Sequence, residues 1–134
     1  MKNYIKAFLF VFIIPVIIFS CKDDDDAPGA ALIGTWEEVS FTSSGCVDPD
    51  DNESYTCTSS CERIVVTEST IKIDTDPAIS YTVNGNQITL SQSSGGITIS
   101  FTVTFEVSGN TLTITQQDET ADGGCKNVSV YTRV

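Results

Sequence analysis

The chain has no histidine and few basic residues. Its 134 residues include seven Lys and Arg against eighteen Asp and Glu, which gives a formal net charge of −11. The lack of histidine excludes Ser–His and Cys–His catalytic pairs and imidazole metal sites. We expect no nucleic-acid partner, because phosphate binding needs clustered basic side chains. No nucleophile has a base beside it and no Gly-rich loop leads from a strand into a helix, so we expect a protein that is not an enzyme.

Long apolar runs are also scarce, and the one that stands out lies near the N-terminus. It extends from Ala7 to Phe19 and is interrupted by Pro15. A transmembrane helix, the alternative interpretation, needs about 20 apolar residues. Two lysines before the run and the small Ser20 after it are typical of a secretory leader. We therefore assign residues 1–20 to a signal peptide.

The end of this leader, Ile18-Phe19-Ser20-Cys21, resembles the lipobox of bacterial lipoproteins. The resemblance implies that Cys21 carries acyl chains such as palmitate and becomes the first residue of the mature protein. Such chains hold a protein on a membrane without a spanning segment. The membrane is therefore an expected partner, through the lipid anchor.

An acidic run, Lys22-Asp23-Asp24-Asp25-Asp26, follows the cysteine directly. Like charges and Pro-Gly make residues 21–31 a solvated, flexible tether. The run also resembles the export signal of Bacteroidota lipoproteins, a lysine with acidic residues behind the acylated cysteine. That resemblance implies a lipid-anchored protein of the outer membrane at the cell surface, with the periplasmic face as the alternative.

Four more cysteines follow, namely Cys46, Cys57, Cys61 and Cys125. An even number of cysteines in an exported chain of this size is typical of two disulfides. A four-cysteine zinc site is the alternative, but paired Cys-x-x-Cys knuckles are missing. We therefore expect two disulfide bridges.

From residue 34 onward, apolar and polar residues alternate with the period of two that is typical of strands with one buried face. The clearest example runs from Ile97 to Val107, and Asn84-Gly85-Asn86 and Ser108-Gly109-Asn110 supply tight turns. The pattern predicts an all-β domain over residues 32–134, an eight-stranded antiparallel up-and-down barrel, with a two-sheet sandwich as the alternative. The predicted strands cover residues 34–42, 62–67, 70–75, 78–84, 86–91, 96–107, 110–116 and 125–133.

Counting strands around such a barrel separates its two ends. The short turns lie at the lower end, whereas the long stretches 43–61 and 117–124 lie at the upper rim with all four cysteines. In a closed barrel the first and last strands are neighbours, about 4.8 Å apart. This arrangement favours a Cys46–Cys125 bridge, which leaves Cys57–Cys61, although the other pairings stay open.

The same counting places Trp36, in the first strand, beside Arg133, in the last. Gly34-Thr35-Trp36 resembles the Gly-x-Trp motif of lipocalins, and Tyr131-Thr132-Arg133 resembles their final-strand arginine, which stacks across that tryptophan at the closed end. With the leader, these residues resemble the small lipocalin-like domains of Bacteroidota lipoproteins. The resemblance implies a lipocalin-like barrel whose structural pair is Trp36 and Arg133, in a cation–π contact. The domain is shorter than a typical lipocalin and no helix follows the last strand.

Inward positions of the predicted strands carry aliphatic and aromatic residues with scarcely any charge, so we expect any ligand to be small and apolar or amphipathic. A packed core is the alternative, since an eight-stranded barrel is wide enough for either. A cavity of about 300 Å³ or more that opens at the rim would favour ligand binding. The candidate ligand-binding residues are Ile99, Phe101, Val103, Phe105, Leu112 and Ile114.

The predicted upper loops are rich in acidic residues. The segment Asp48-Pro49-Asp50-Asp51-Asn52 has the D-x-D-x-N start of a calcium loop, although the later glycine and glutamate of such loops are missing. Asp48, Asp50 and Asn52 are therefore candidate calcium ligands, and no other cofactor is expected. Solvated loops that keep an acidic surface protein soluble are the alternative.

These observations lead to two hypotheses. The first is a non-catalytic, surface-anchored, lipocalin-like lipoprotein that binds a small apolar or amphipathic ligand through the barrel rim. The second is a filled barrel that acts as a protein- or glycan-interaction module of the cell envelope. A monomer is favoured in both.

Overall fold

A computed structural model describes residues 28–134. The predictions about the leader, the lipidation of Cys21 and the first part of the tether lie outside the described residues. The described chain contains one short helix, α1 (Pro28–Leu32), and two 3-10 turns at Pro49–Asp51 and Thr120–Asp122. Its strands are β1 (Gly34–Ser44), β2 (Glu53–Thr56), β3 (Arg63–Val66), β4 (Thr70–Ile73), β5 (Ile79–Asn84), β6 (Gln87–Ser94), β7 (Ile97–Ser108), β8 (Thr111–Gln117) and β9 (Lys126–Arg133).

Eight of these strands form the closed antiparallel up-and-down barrel that the alternation predicts. β1 and then β3 to β9 pair in chain order, and β9 returns to pair with β1 along almost its whole length. All pairs are antiparallel, and the strands of residues 28–134 form a single sheet, so the sandwich alternative is wrong. The eight predicted strands correspond to β1 and β3–β9.

β2 is a ninth strand that the sequence pattern did not reveal. The lower half of β1 pairs with β3, from Gly34 to Glu37, and its upper half pairs with β2, from Ser40 to Ser43. β2 and β3 therefore follow one edge of β1 in succession, and a disulfide between Cys57 and Cys61 closes the loop between them. All four β2 residues are exposed, so their burial follows no alternation.

A β-bulge at Val39 divides β1 at the same level. The register with β9 shifts between Glu38 and Ser40, which leaves Val39 without an opposite residue. An extra residue in one strand reverses the alternation beyond it, so the inward positions change from even to odd numbers. Trp36 and Glu38 face the barrel interior below the bulge, and Phe41 and Ser43, whose partners on β9 are Ser129 and Asn127, face it above.

The closed end of the barrel is plugged by α1. Leu32 and Trp36 are both fully buried there, and the Trp36 indole N–H donates a hydrogen bond of 2.9 Å to the Leu32 carbonyl. Residues 28–31, assigned to the flexible tether, are thus helical and belong to the folded domain. Five residues are too few to show a helical period, but Pro28 at the first helical position suits a helix start.

The predicted contact between Trp36 and Arg133 is present. The Arg133 guanidinium lies 4.1 Å from the centroid of the indole ring, a cation–π distance. Its two terminal nitrogens donate hydrogen bonds of 2.8 Å to the carbonyls of Ile33 and Ala31, which attach α1 to β9. Gly34 has a φ of +151°, and a Cβ there would collide with the same guanidinium. The glycine of the Gly-x-Trp sequence is therefore required by the closeness of the arginine.

Both predicted disulfides are present at the upper rim. Cys46 is bonded to Cys125, 79 residues away, and Cys57 is bonded to Cys61. The first bridge joins the loop after β1 to the residue before β9, so it fixes the seam where the barrel closes. The helices of residues 28–134 do not include one with the length and hydrophobicity of a membrane span.

Candidate functional site

An apolar cavity of about 180 Å³ lies in the upper half of the barrel. The lower half is filled, because Trp36, Leu112 and Phe105 are buried against one another and α1 closes the floor. The cavity is thus intermediate between the packed core and the void of about 300 Å³ that the sequence left as alternatives. Its apolar wall consists of Ile64, Ile71, Ile73, Ile88, Leu90, Phe101, Val103 and Ile114.

The wall also carries a hydrogen-bonded carboxylate, Glu62. The Tyr131 hydroxyl donates a hydrogen bond of 2.7 Å to Glu62 Oε1, and both residues line the cavity. Burial, the hydrogen bond to Glu62 and the negative charges of Glu62 and Glu38 raise the pKa of Tyr131 far above its usual 10.0. The phenol therefore stays a donor, and Glu62 is held by a neutral partner.

A second carboxylate, Glu38, lies next to the first. It is only 8% exposed, and its backbone N–H donates to the Glu62 carbonyl at 2.8 Å. Its Oε2 accepts a hydrogen bond of 3.0 Å from Tyr55, whose ring stacks on Phe41 with centroids 5.6 Å apart. Partial burial and this hydrogen bond raise the pKa of Tyr55. β2, which supplies Tyr55, thus extends the wall on this side.

The expectation of scarcely any inward charge is therefore wrong at Glu38 and Glu62. Strand alternation contained the signal, because Glu38 is two residues after Trp36 and Glu62 is two residues before Ile64. Each shares the face of a buried residue, and the tyrosine hydroxyls make that position tolerable. The apolar residues alone do not define the inner face.

The β6–β7 hairpin projects beyond the barrel on the other side of the mouth. Pairing of β6 with β5 ends at Ser91, and pairing of β7 with β8 begins at Thr104, so the segment between them has free edges in the described structure. On one face, paired Ser and Thr hydroxyls of β6 and β7 form hydrogen bonds of 2.8 to 2.9 Å. The other face continues the inner wall of the barrel. Residues 77–105 contain no charged side chain.

Two residues that were predicted to lie in the barrel interior are on this projecting hairpin. Ile99 is 68% exposed, so its assignment to the barrel interior is wrong, and Phe101 is 47% exposed at the edge of the cavity. Both point to the inner face, as alternation requires, but the neighbouring strands are too short to cover them. Ile97, at the tip, is exposed to the same extent as Ile99.

The other predicted interior residues are buried or partly buried. Val103 and Ile114 line the cavity. Phe105 and Leu112 belong to the filled core below it, where a ligand would have to displace packed side chains. The cavity lining accordingly includes three of the predicted residues, Phe101, Val103 and Ile114. Its other residues, on β3, β4, β6, β8 and β9 and at Glu62, were not predicted.

The acidic loop after β1 uses its side chains to hold its own backbone. Asp48 caps the first 3-10 turn by accepting from the Asp50 N–H at 3.0 Å. Asn52 donates to the Pro49 carbonyl at 2.8 Å and accepts from the Cys46 N–H at 3.3 Å. Within residues 28–134, no group of three or more Asp, Glu or Cys side chains is arranged to hold a metal ion. Calcium binding by Asp48, Asp50 and Asn52 stays a prediction.

Two larger depressions adjoin the Cys57–Cys61 loop, one lined by residues that include the outward-facing Glu37 and Arg63, the other by residues that include Glu38, Tyr55 and Glu62. Their volumes are about 520 and 430 Å³, but both are open to solvent. A ligand there would stay largely hydrated, whereas binding sites bury most of their ligand. The cavity inside the barrel is therefore the better candidate. No protein-family model, curated protein or solved structure matches this chain, so the assignment of function depends on this geometry.

Proposed function

We propose that the protein is a surface-anchored, lipocalin-like lipoprotein that binds a small apolar or amphipathic molecule through the mouth of its barrel. The observation that carries this proposal is the apolar cavity of about 180 Å³ beneath the rim. The lipobox at Cys21 and the acidic run behind it support a lipid anchor. Because the chain enters the barrel at α1, on the closed end, the mouth would face away from the membrane.

The size of the cavity limits what can enter it. An apolar cavity of about 150 Å³ in another protein is sufficient for benzene. This barrel therefore suits one aromatic ring or a short alkyl end, not a whole large lipid. The exposed apolar face formed by Ile97, Ile99 and Phe101 begins where the cavity opens, and it offers a surface for the rest of a longer ligand.

The test is to block the cavity without changing the chemistry of the outer surface. Val103 lines the cavity, and Val65 is a valine on the outer face of β3. We expect Val103→Phe to abolish retention of small apolar molecules, and the matched Val65→Phe variant to retain them. Native mass spectrometry of the full lipidated chain, purified from its own membrane, provides the measurement. Equal retention by the two variants, or no bound molecule in any of them, would contradict the proposal.

A second function, an interaction module of the cell envelope, is favoured by the β6–β7 hairpin. It carries three large exposed apolar residues on an uncharged projection, in a chain that is otherwise strongly acidic. Uncovered strand edges and apolar faces are common sites of protein contact. Crosslinking in whole cells from position 98, on the hydroxyl face of the hairpin, would distinguish this function if Val103→Phe left the crosslinked partner unchanged.

A further inference from the structure

We propose that the barrel mouth selects an amphipathic ligand with a cationic head, whose apolar end enters the cavity and whose ammonium-type group lies against the Glu62 carboxylate. This inference rests on the proposed ligand-binding function and specifies the chemical class of the ligand.

Glu62 brings a negative charge to the apolar cavity. It is the only charged residue among the described residues that line the cavity, and it is half-buried at the upper end of the apolar wall. Tyr131 donates to one of its oxygens, Oε1. A carboxylate offers about four acceptor sites on two oxygens, so capacity remains for a donor on a ligand. Hydrogen bonds between an ionised donor and a carboxylate are stronger than neutral ones.

Other carboxylates surround Glu62 at the mouth. Glu38 adjoins Glu62 through the backbone hydrogen bond described above. On β8, Gln116 lines the cavity and donates to Asp118 Oδ1 at 2.8 Å. The carboxylates are thus hydrogen-bonded to hydroxyl and amide donors that bring no positive charge.

The basic side chains of the described residues lie away from the cavity. The structure describes four, and strand alternation directs Arg63, Lys72 and Lys126 to the outer face, where Arg63 pairs with Glu37 at 2.8 Å. Arg133 lies at the closed end over Trp36. An anionic head, such as that of a fatty acid, would therefore meet carboxylates and, among the described residues, no basic side chain at the mouth. A cationic head would meet complementary charge and relieve the repulsion between those carboxylates.

The experiment compares three probes that share one alkyl chain and differ in head charge: hexylammonium, hexanol and hexanoate. Methyl NMR of the isoleucines in the cavity wall reports binding to the full lipidated chain in nanodiscs of neutral lipid. We expect hexylammonium to bind about tenfold more tightly than hexanol, as one charged hydrogen bond would produce, and hexanoate to bind most weakly.

Glu62→Gln tests the residue, because the amide keeps an acceptor for Tyr131 but removes the charge. We expect this variant to lose the preference and to bind hexylammonium and hexanol about equally. Glu37→Gln is the matched control on the outer face, and it should keep the full preference for the ammonium probe. The three probes on the unaltered protein decide the matter by themselves if Glu62→Gln does not fold.

The outcomes separate the two proposals. Equal binding of the ammonium and alcohol probes to the unaltered protein, or an undiminished preference in Glu62→Gln, overturns the cationic selectivity while ligand binding stands. If none of the three probes shifts the signals of the cavity methyls, both the selectivity and the proposed function are overturned.

Discussion

Tyr131 and Glu62, 69 residues apart in sequence, meet inside the barrel with a hydrogen bond of 2.7 Å. The pair joins β9 to the start of β3 across β1, which lies between them in the sheet. It also places the polar part of the cavity wall beside an apolar part made of isoleucines. This combination is the reason for assigning an amphipathic ligand to the mouth.

The raised pKa of Tyr131 predicts a loss of stability at alkaline pH. Above pH 10 the unfolded chain releases this proton while the folded barrel retains it. The free energy of unfolding therefore falls as the pH rises, by up to about 1.4 kcal/mol per pH unit for this group. Below that pH its contribution is constant.

Tyr131→Phe isolates this effect from those of Tyr55 and Tyr81, whose pKa values are also raised. At pH 7 the variant should be about 1 kcal/mol less stable, because Glu62 loses its donor. The difference from the unaltered protein should shrink above pH 10. Urea unfolding at several pH values measures it, and parallel curves up to pH 11 would be incompatible with the buried phenol described here.

Arg133→Ala should weaken the closed end of the barrel. The substitution removes the cation–π contact with Trp36 and two hydrogen bonds to the carbonyls of Ile33 and Ala31. We expect a loss of about 1–2 kcal/mol in the free energy of unfolding. Arg133→Lys should recover only part of this loss, because an ammonium group cannot bond both carbonyls in the same planar arrangement. An unchanged melting midpoint in Arg133→Ala would count against the contact.

The two disulfides should differ in their contribution to stability. The chain-entropy model gives about 4.5 kcal/mol for a bridge of the length of Cys46–Cys125, and about 2 kcal/mol for the short Cys57–Cys61 loop. We expect the double variant Cys46→Ser, Cys125→Ser to be the less stable by urea unfolding. The double variant Cys57→Ser, Cys61→Ser is its control, and equal losses would show that loop length does not determine the effect.

Two residues on the same face of β7 should differ strongly in how much stability is lost when their side chains are replaced. Phe105 is buried in the filled core, so Phe105→Ala should cost about 3–4 kcal/mol. Ile99 is exposed on the projecting hairpin, so Ile99→Thr should change the stability by less than about 0.5 kcal/mol. Urea unfolding curves of each variant give the change in the free energy of unfolding. A large loss in Ile99→Thr would mean that the hairpin is covered.

The sequence predicted the parts of the fold that depend on local pattern and on the closure of the barrel. Alternation located eight strands, and the adjacency of the first and last strands then brought Trp36 to Arg133 and Cys46 to Cys125. These contacts follow from strand order alone. They do not depend on the details of packing.

The parts that it did not predict depend on tertiary context. Alternation assigns Ile99 to the correct face, but it does not tell how far β5 and β8 extend beside it. The bulge at Val39 changes the face of Phe41 without a glycine or proline to mark it. Glu38 and Glu62 are inward because Tyr55 and Tyr131 reach them, and these partners lie 17 and 69 residues away.

The junction between β1 and β9 is held at both ends of the barrel. The Cys46–Cys125 disulfide holds it at the rim, and the hydrogen bonds of Arg133 hold it at the closed end. The ladder between β4 and β5 is the shortest of the closed barrel, with only two register pairs, Thr70 with Ser80 and Ile71 with Ile79. We expect transient opening to begin at that ladder, where amide hydrogens should exchange first. Ile71 belongs to the cavity wall. Opening of this ladder would therefore let small molecules enter the cavity through the side of the barrel, without passing the rim.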